Sequence, residues 1–383
     1  MTSVVIDNIS QLVTCVPALG EGPLGVVRNA ALVIVDGRVA AIEAAGCGAA
    51  DERVDAGGRC VMPAFVDSHS HLVFAGDRAD EFVARMAGQP YAAGGIRVTT
   101  EATRSAGTAE LRALTMIRRD EARLYGIGHM EIKSGYGLDV VTEERCCALA
   151  AELTDDVTFL GAHVIPSDFA DRPDDYVALV CGPMLDACAP HAKWIDVFCE
   201  RGAFDVEQSR AILEAGRARG LGLRVHANQL GHGPGVQLAV SLGAASADHC
   251  TYLSDHDLDA LAGSDTVATF LPAADFSTRQ PYPNARRAID AGVRIAIATN
   301  CNPGSSYTTS MAFCLALAVR EMGLTIDEAI LAATVGGARA LRRTNGLGTL
   351  APGAVAKAII LDAPSPAHLV YRPGMNLVAQ LLG

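Results

Sequence analysis

The sequence of 383 residues is poor in aromatic and charged side chains, with a single tryptophan, 5% aromatic residues in all and 19% charged residues. Half of the residues are hydrophobic, so we expect a large folded core and exclude intrinsic disorder. Basic residues are few: 31 Lys and Arg stand against 43 Asp and Glu, and the net charge is −12. This balance argues against nucleic acid as a partner, because phosphate binding requires a basic surface. It still permits a small anionic substrate that is bound locally by a few arginines.

Long hydrophobic runs and patterned cysteines are missing as well. The sequence has no run of about 18 uncharged apolar residues, and its N-terminus lacks a basic segment followed by an apolar one. We therefore expect neither membrane spanning nor secretion. The eleven cysteines are scattered, Cys146 and Cys147 form the only close pair, and no Cys-x-x-Cys occurs. An odd, unpatterned set of cysteines predicts reduced thiols in a cytoplasmic protein.

The alternation of elements predicts an α/β protein built on a barrel. Short β-rich runs alternate with amphipathic helical stretches between residues 60 and 300, as a (β/α)₈ barrel requires. An open doubly wound sheet is the competing fold, but it would usually need a Gly-rich nucleotide turn after its first strand, and none is present. The eight predicted strands are residues 62–71, 127–133, 157–163, 193–200, 221–229, 245–249, 266–272 and 293–300.

Both ends of the chain have β character. Residues 4–61 are predicted to form strands, with a hairpin turn at Asp36-Gly37, and residues 346–362 return to β character after further helices. We expect the two ends to pack together as one small composite β-sandwich, because neither alone buries enough area. The predicted domains are residues 1–60 and 345–383, which share the β-sandwich, and residues 61–344, which form the barrel.

Polar residues end the predicted strands, where barrels of this kind carry their functional groups. His69 and His71 end the first strand and, being two residues apart, project to the same side. His226 lies near the end of the fifth strand. Three neutral imidazoles suit Zn²⁺ or Fe²⁺, and a water at an open position would have its pKa lowered toward about 7. The alternative interpretation is a polar rim of the sheet for the pair His69 and His71, and a core histidine hydrogen-bonded to the backbone for His226.

Seven segments resemble imidazolonepropionases, a family of the amidohydrolase superfamily. In chain order they are VMPAFVDSHSHLVFAGDR, IKSGYGLD, TFLGAH, DVFCERGAF, VHANQLG, ADHCTYLSD and NPGSS. His-x-His belongs to the whole superfamily, whereas KSGYGLD and NPGS are more particular to this family. The resemblance extends over nearly the whole chain. It implies a cytoplasmic, homodimeric hydrolase with one divalent metal, Zn²⁺ or Fe²⁺, that opens the cyclic amide of 4-imidazolone-5-propanoate to N-formimidoyl-L-glutamate in histidine breakdown.

By motif position, the resemblance also implies roles for individual residues. The metal ligands would be His69, His71, His226 and the residue at position 300. His249 would lie beside the attacked carbon and polarise or protonate the substrate, and Gln229 would hydrogen-bond the ring where the family often has a carboxylate. The substrate pocket would contain Arg78, Tyr91, Tyr136, His163, Asn302, Gly304 and Ser305.

Some of these pocket residues have separate support or a simpler alternative. Asn302, Gly304 and Ser305 would hold the propionate carboxylate, and a turn at Gly304 can present backbone N–H groups to an anion. Arg78 is equally well explained as a surface residue. The two tyrosines are equally well explained as packing aromatics.

Asn300 departs from the family, which has at this position an aspartate that binds the metal and accepts a proton from its water. An amide is neutral and cannot act as a base at pH 7, so we expect a loss of rate on the order of 10²–10⁴. Three explanations compete: an engineered Asp→Asn variant that traps substrate, a homologue that binds without hydrolysis, or an enzyme with His249 or Glu200 as base. The otherwise complete set of motifs favours the first.

Two other classes of function remain open. A related amidohydrolase, such as an aminoimidazole, cytosine or guanine deaminase, shares the barrel and the metal histidines but needs contacts for an exocyclic amine. A non-catalytic ligand-binding homologue would bind the imidazolone without turnover. The acidic residues Asp67, Glu200, Asp248 and Asp275 are candidate substitute bases that the sequence does not rank.

Overall fold

The computed structural model describes residues 2–89 and 95–383. Its strands are β1 (Ser3–Val13), β2 (Val26–Val35), β3 (Arg38–Ala44), β4 (Glu52–Asp55), β5 (Cys60–Pro63), β6 (Phe65–Asp67), β7 (Ile127–Met130), β8 (Ile132–Lys133), β9 (Val157–Ala162), β10 (Trp194–Cys199), β11 (Gly222–Ala227), β12 (Ser246–His249), β13 (Val267–Phe270), β14 (Ile295–Ile297), β15 (Ala358–Leu361) and β16 (Val378–Leu382). Its helices are α1 (Ala79–Met86), α2 (Ile96–Ser105), α3 (Thr108–Leu124), α4 (Val140–Ala151), α5 (Pro173–Leu179), α6 (Leu185–Cys188), α7 (Val206–Ala218), α8 (Gly235–Ser241), α9 (Asp255–Ala262), α10 (Pro272–Thr278), α11 (Ala285–Asp290), α12 (Met311–Glu321), α13 (Ile326–Leu331), α14 (Gly337–Ala340) and α15 (His368–Tyr371).

Strands from both ends of the chain share one sheet. Its order is β16-β15-β5-β1-β2-β3, with β4 paired to β1. The link between the two ends is the antiparallel pair β15–β5, in which Ile359 lies opposite Met62. A separate apolar core that includes Ile6, Leu32 and Ile360 is buried against this sheet. The terminal segments therefore join as expected, and the predicted domain boundary at residues 60 and 61 falls inside β5.

The barrel begins at β6 and is parallel throughout. β6 pairs with β7, and a second sheet runs from β8 to β14 with every neighbouring pair parallel. β7 and β8 are separated only by Glu131 and together form the second barrel strand. The last strand returns to the first, because Asn300 N–H donates to His69 C=O and His71 N–H donates to Cys301 C=O, each at 2.9 Å. The predicted α/β barrel is confirmed.

The barrel strands are short and buried at nearly every position. All residues of β9, β10, β12 and β13 are buried, since helices cover the outside and side chains fill the inside. This is why they appear in the sequence as apolar runs without alternation. The predicted strand 62–71 is in fact divided: β5 belongs to the terminal sheet and β6 to the barrel.

Helix starts follow local capping rules. Asp205, Ser254 and Thr325 begin α7, α9 and α13, and each closes a capping box with the residue three positions later. Such caps satisfy backbone N–H groups that the first helical turn leaves without partners. Within the described residues, none of the helices is both long and apolar enough to cross a membrane.

Candidate active site

A narrow cavity lies at the carboxyl ends of the barrel strands. Its volume is about 30 Å³, and Ile96, Val164 and Phe198 contribute apolar walls that sequence reasoning did not single out. The predicted site residues that line it are His71, Arg78, Tyr136, His163, His226, Gln229, His249, Asn300, Asn302 and Ser305. Strand ends that are distant in sequence thus contribute to one cavity. Tyr91 lies outside the described residues.

The histidines of the first, fifth and sixth strands cluster in and beneath this cavity. The ring of His69 lies 5.1 Å from that of His71 and 4.5 Å from that of His226, and the latter two rings are 5.5 Å apart. His249 joins the cluster, its ring 5.3 Å from that of His226. Ligand atoms of His69, His226 and His249 all lie within 4.8 Å of one another.

The nitrogen positions are compatible with a shared cation. The Nε2 atoms of His69 and His71 are 3.2 Å apart, and two nitrogens that each lie about 2.0–2.1 Å from a tetrahedral zinc would be about 3.3 Å apart. Burial lowers the pKa of both rings well below the usual value, and nearby positive or protonatable groups lower it further. Both imidazoles are therefore neutral, which is the state that binds metals. This His-rich site could hold a divalent ion.

Carboxylates behind the rings orient them. Asp248 Oδ2 accepts a hydrogen bond from His69 Nδ1 at 2.8 Å, which leaves Nε2 of that ring unprotonated. His226 Nδ1 lies 2.9 Å from Asp196 Oδ2, although it is out of line for a hydrogen bond. Burial acts to raise the pKa of Asp196, but His226 and Lys133 outweigh it, so its pKa is well below the usual value. Both carboxylates are thus anionic partners for the rings.

A buried charge network supports these carboxylates. Lys133 Nζ lies 2.7 Å from Glu131 Oε1 and 2.8 Å from Asp196 Oδ2, and Arg224 Nη2 lies 3.1 Å from Asp248 Oδ2. All of these side chains are fully buried. Sequence reasoning assigned no role to Glu131, Lys133, Asp196 or Arg224. The available signal was the presence of charged residues inside otherwise apolar strands.

The backbone is left-handed at two strand ends in the cavity wall. His249 has φ 77° and Asn300 has φ 53°, a region that residues with a side chain seldom adopt. Asn300 Nδ2 donates to Ser305 Oγ at 3.3 Å, whereas its buried Oδ1 has no hydrogen-bond partner among the described residues. Asn300 therefore lines the cavity and offers it one neutral oxygen.

The turn after Asn300 uses its N–H groups internally. Asn302 Oδ1 accepts hydrogen bonds from the backbone N–H groups of Gly304 and Ser305, both at 2.8 Å. The expectation that this turn presents those N–H groups to an anion is therefore not what the structure shows. The Asn302 side chain occupies them because an Asx turn forms locally. Side chains of Asn302 and Ser305 still face the cavity.

Arg78 is buried, so the alternative of a surface residue does not hold. Its guanidinium forms a bidentate pair with Glu81, at 2.9 Å from Nε and 2.6 Å from Nη2. It packs against Gly304 so closely that a Cβ there would lie 2.2 Å from Nη1. Arg78 and Ser305 line both the cavity and a larger outer chamber of about 350 Å³, and so lie between the two.

The candidate substitute bases have other partners. Asp67 accepts from Thr299 N–H at 3.0 Å, Glu200 accepts from Leu230 N–H at 2.9 Å, and Asp275 accepts from Thr251 Oγ1 at 2.9 Å. None of these three carboxylates is among the described residues that line the cavity. His249 does line it, and burial lowers the pKa of its ring well below the usual value.

Comparison with known proteins identifies relatives over the full length. The Amidohydrolase family model matches residues 60–379. The imidazolonepropionase of Salinispora arenicola (strain CNS-205) is 63% identical over 385 residues, which cover 100% of this chain and 98% of that protein. The imidazolonepropionase of Mycolicibacterium smegmatis is 63% identical over 383 residues, which cover 100% of this chain and 96% of that protein.

Solved structures share the fold at low sequence identity. An adenosine deaminase from Xanthomonas campestris with bound zinc superimposes with a TM-score of 0.75 at 16% identity, over 100% of this chain and 91% of that one. Atrazine chlorohydrolase from Arthrobacter aurescens TC1, complexed with zinc, gives a TM-score of 0.72 at 16% identity, over 99% and 93%. The structural likeness shows the fold, and the sequence matches show that this chain belongs to the imidazolonepropionase family of amidohydrolases.

Proposed function

We propose that this chain is a metal-dependent hydrolase that opens the cyclic amide of 4-imidazolone-5-propanoate to N-formimidoyl-L-glutamate. The observation that carries the proposal is the 63% identity to imidazolonepropionases over the whole chain. The convergence of His69, His71 and His226 at one cavity supports it independently. The proposal includes Zn²⁺ or Fe²⁺ as the metal, which three imidazoles suit. It also includes a cytoplasmic location, which the unpatterned cysteines favour, and a homodimer, which rests on the family resemblance alone.

The chain's own residues provide the metal site and the groups that face the reacting ring. His69, His71 and His226 would hold the metal, and Asn300 Oδ1 would be a fourth, neutral ligand. When bound, the cation would acidify a water and polarise the ring carbonyl. The neutral ring of His249 lines the cavity beside His226 and can hydrogen-bond the substrate next to the attacked carbon. Gln229, with both a donor and an acceptor, can hydrogen-bond the imidazolone edge.

The substrate's carboxylate is assigned to the Arg78 side of the cavity. Arg78 is a buried guanidinium that borders the cavity beside Ser305, and guanidinium groups match the geometry of carboxylates. Tyr136 and His163 also line the cavity. A local cation of this kind accommodates an anionic substrate in a chain whose overall charge is −12.

Asn300 lacks the basicity that removal of a proton from water requires. We expect Asn300→Asp to raise kcat for loss of the imidazolone, followed by ultraviolet absorbance, by a factor on the order of 10²–10⁴. The substitution is nearly isosteric, and Ser305 Oγ can donate to the new carboxylate. Metal content of both proteins is measured by elemental analysis, so that a difference in occupancy is not mistaken for a difference in chemistry.

Three outcomes of this experiment are informative. An Asn300→Asp variant that stays inert with metal bound would contradict the role assigned to position 300. A parent chain as fast as the variant would show that another group acts as base. Ammonia release from an aminoimidazole, cytosine or guanine, with no turnover of the imidazolone, would favour the deaminase alternative.

A further inference from the structure

The loop of residues 134–138 carries one wall of the cavity. It connects β8 to α4 and contains Tyr136, whose ring lies 5.3 Å from that of His163 and 6.0 Å from that of His71. A second contact joins the loop to the cavity: the carbonyl oxygen of Gly135 lies 2.9 Å from His163 Nδ1. The position of this loop therefore sets two cavity side chains at once.

Glu143 holds the backbone donors of the 134–138 loop. It projects from α4, is fully buried and does not line the cavity. Its Oε1 accepts from the N–H groups of Gly137 at 2.6 Å and Leu138 at 2.9 Å, and its Oε2 accepts from Gly135 N–H at 3.0 Å. Three backbone N–H groups of the loop are thus tied to one carboxylate, a costly group to bury without such partners.

Arg104 holds the backbone acceptors of the same loop. It extends from α2, and its Nε donates to Gly137 C=O at 2.6 Å while its Nη2 donates to Leu138 C=O at 3.1 Å. It also pairs with Asp139, the residue that caps α4, at 2.9 Å. An anion and a cation on two different helices therefore restrain both polarities of the loop backbone.

The glycines of the loop make this arrangement possible. A Cβ on Gly137 would lie 2.7 Å from Glu143 N and 2.8 Å from Thr142 Cβ, so only glycine allows the loop to approach α4. Gly135 has φ 111° and lies against His163. Since a carbonyl only accepts, His163 Nδ1 must donate to Gly135, and Nε2 is left as the unprotonated nitrogen of the ring.

We propose that Glu143 and Arg104 are positioning residues of the active site, which act through the 134–138 loop to place Tyr136 and to fix the tautomer of His163. The inference deepens the proposed function and rests on it for the identity of the ligand. Neither residue lines the cavity, and the side chain of each contacts backbone groups of the 134–138 loop. Held this way, Tyr136 and His163 are oriented before the ligand arrives, which reduces the free-energy cost of binding.

The test uses Glu143→Gln in the zinc-reconstituted chain. In either orientation the amide of the Glu143→Gln variant places its NH₂ group against a backbone N–H group of the loop. At least one of the three hydrogen bonds from the loop is therefore lost, while the side chain keeps its size and shape. We expect the dissociation constant of imidazole-4-propanoate, measured by calorimetry, to rise on the order of 10- to 100-fold. Long-range ¹H–¹⁵N spectra should show His163 losing its Nδ1–H tautomer.

A matched control separates positioning from general loss of stability. Thr325→Ala removes the N-cap of α13, where the Thr325 hydroxyl accepts from Glu328 N–H at 3.2 Å. Thr325 does not line the cavity. The substitution should lower Tm but leave both the dissociation constant and the His163 spectrum unchanged. The proposal is overturned if Glu143→Gln is folded, binds the analogue like the parent and keeps the parent His163 spectrum.

A second variant covers the case in which Glu143→Gln does not fold. Arg104→Met acts on the same loop from a partly exposed position, and it should also weaken analogue binding; unchanged binding would overturn the proposal. If the parent chain itself binds no analogue, the proposed function has failed. The His163 tautomer in the variants, compared with the parent, then decides the positioning inference alone.

Discussion

Lys133 is, together with Arg224, a cation of the network beneath the histidines, and its removal should destabilise the barrel strongly. Its ammonium is fully buried, 2.7 Å from Glu131, 2.8 Å from Asp196 and 3.8 Å from Asp248. Lys133→Met keeps an unbranched side chain of similar length but leaves these carboxylates without their shared cation. Arg224 still lies 3.1 Å from Asp248 in this variant, but Glu131 and Asp196 lose their nearest cation in a fully buried site. Breaking a buried ion pair from one side costs about 3–5 kcal/mol, because a charge stays buried without the cation that compensated it.

The assay for this prediction uses the single tryptophan of the chain. Trp194 lies in β10, two residues before Asp196, and its buried indole donates to Asp156, so its fluorescence reports on unfolding of the strand in question. Urea unfolding of Lys133→Met should give a free energy of unfolding about 3–5 kcal/mol below that of the parent. Adding Glu131→Gln should recover part of this loss, since one of the uncompensated carboxylates is then neutral.

The control is an ion pair of similar geometry at the surface. Arg112 and Glu152 also lie 2.7 Å apart, but both side chains are more than two-fifths exposed. Arg112→Met should therefore leave the urea midpoint close to that of the parent, because exposed ion pairs contribute little to stability. The reasoning from buried charge is wrong if Lys133→Met is as stable as this surface variant. It is also wrong if adding Glu131→Gln to Lys133→Met lowers the free energy of unfolding further.

Three further predictions concern the cavity and its surroundings. Gly304→Ala should weaken binding of imidazole-4-propanoate several-fold with little change in Tm, since the new Cβ displaces the flexible end of Arg78; calorimetry showing unchanged affinity would contradict this. Arg78→Ala and Tyr136→Phe should each raise the dissociation constant more than they lower Tm, and unchanged affinity in both would remove them from the pocket. Burial raises the pKa of Asp275 to about 8, whereas its ordinary value is 3.8. The folded chain therefore keeps the Asp275 proton up to about pH 8, whereas the unfolded chain has lost it above about pH 4. The free energy of unfolding falls as pH rises between these two values, by up to about 1.4 kcal/mol per pH unit. Asp275→Asn should flatten that slope in urea midpoints at pH 5 and pH 8, and an equally steep slope in the variant would assign it to another group.

The parts of the site that could be predicted are those that depend on local pattern. Parallel strands buried on both faces appear as apolar runs, and their carboxyl ends are marked by the first polar residue. His69, His71, His226 and His249 were found in this way, and the structure brings them together. The spacing of His69 and His71 also indicates one shared side, because side chains alternate along a strand.

What could not be predicted depends on register between distant segments. The contact of Lys133 with Asp196 joins β8 and β10 across the intervening β9, and the two residues are 63 positions apart in sequence. The contact between Gly304 and Arg78 joins the segment after the last barrel strand, β14, to the segment after the first, β6. The Asx turn of Asn302 is a local exception: its side chain occupies the N–H groups of Gly304 and Ser305, but the same turn can also form with those groups exposed.

The pairing of β5 with β15 makes the surroundings of the histidine cluster depend on residues 358–361, which are synthesised long after β5. β5 ends at Pro63, and β6, which leads to His69, begins two residues later. On the ribosome, β5 can join β1 early, but its other edge has no neighbour until residues 358–361 have emerged. A strand edge that stays open until then slows folding and favours aggregation of the nascent chain.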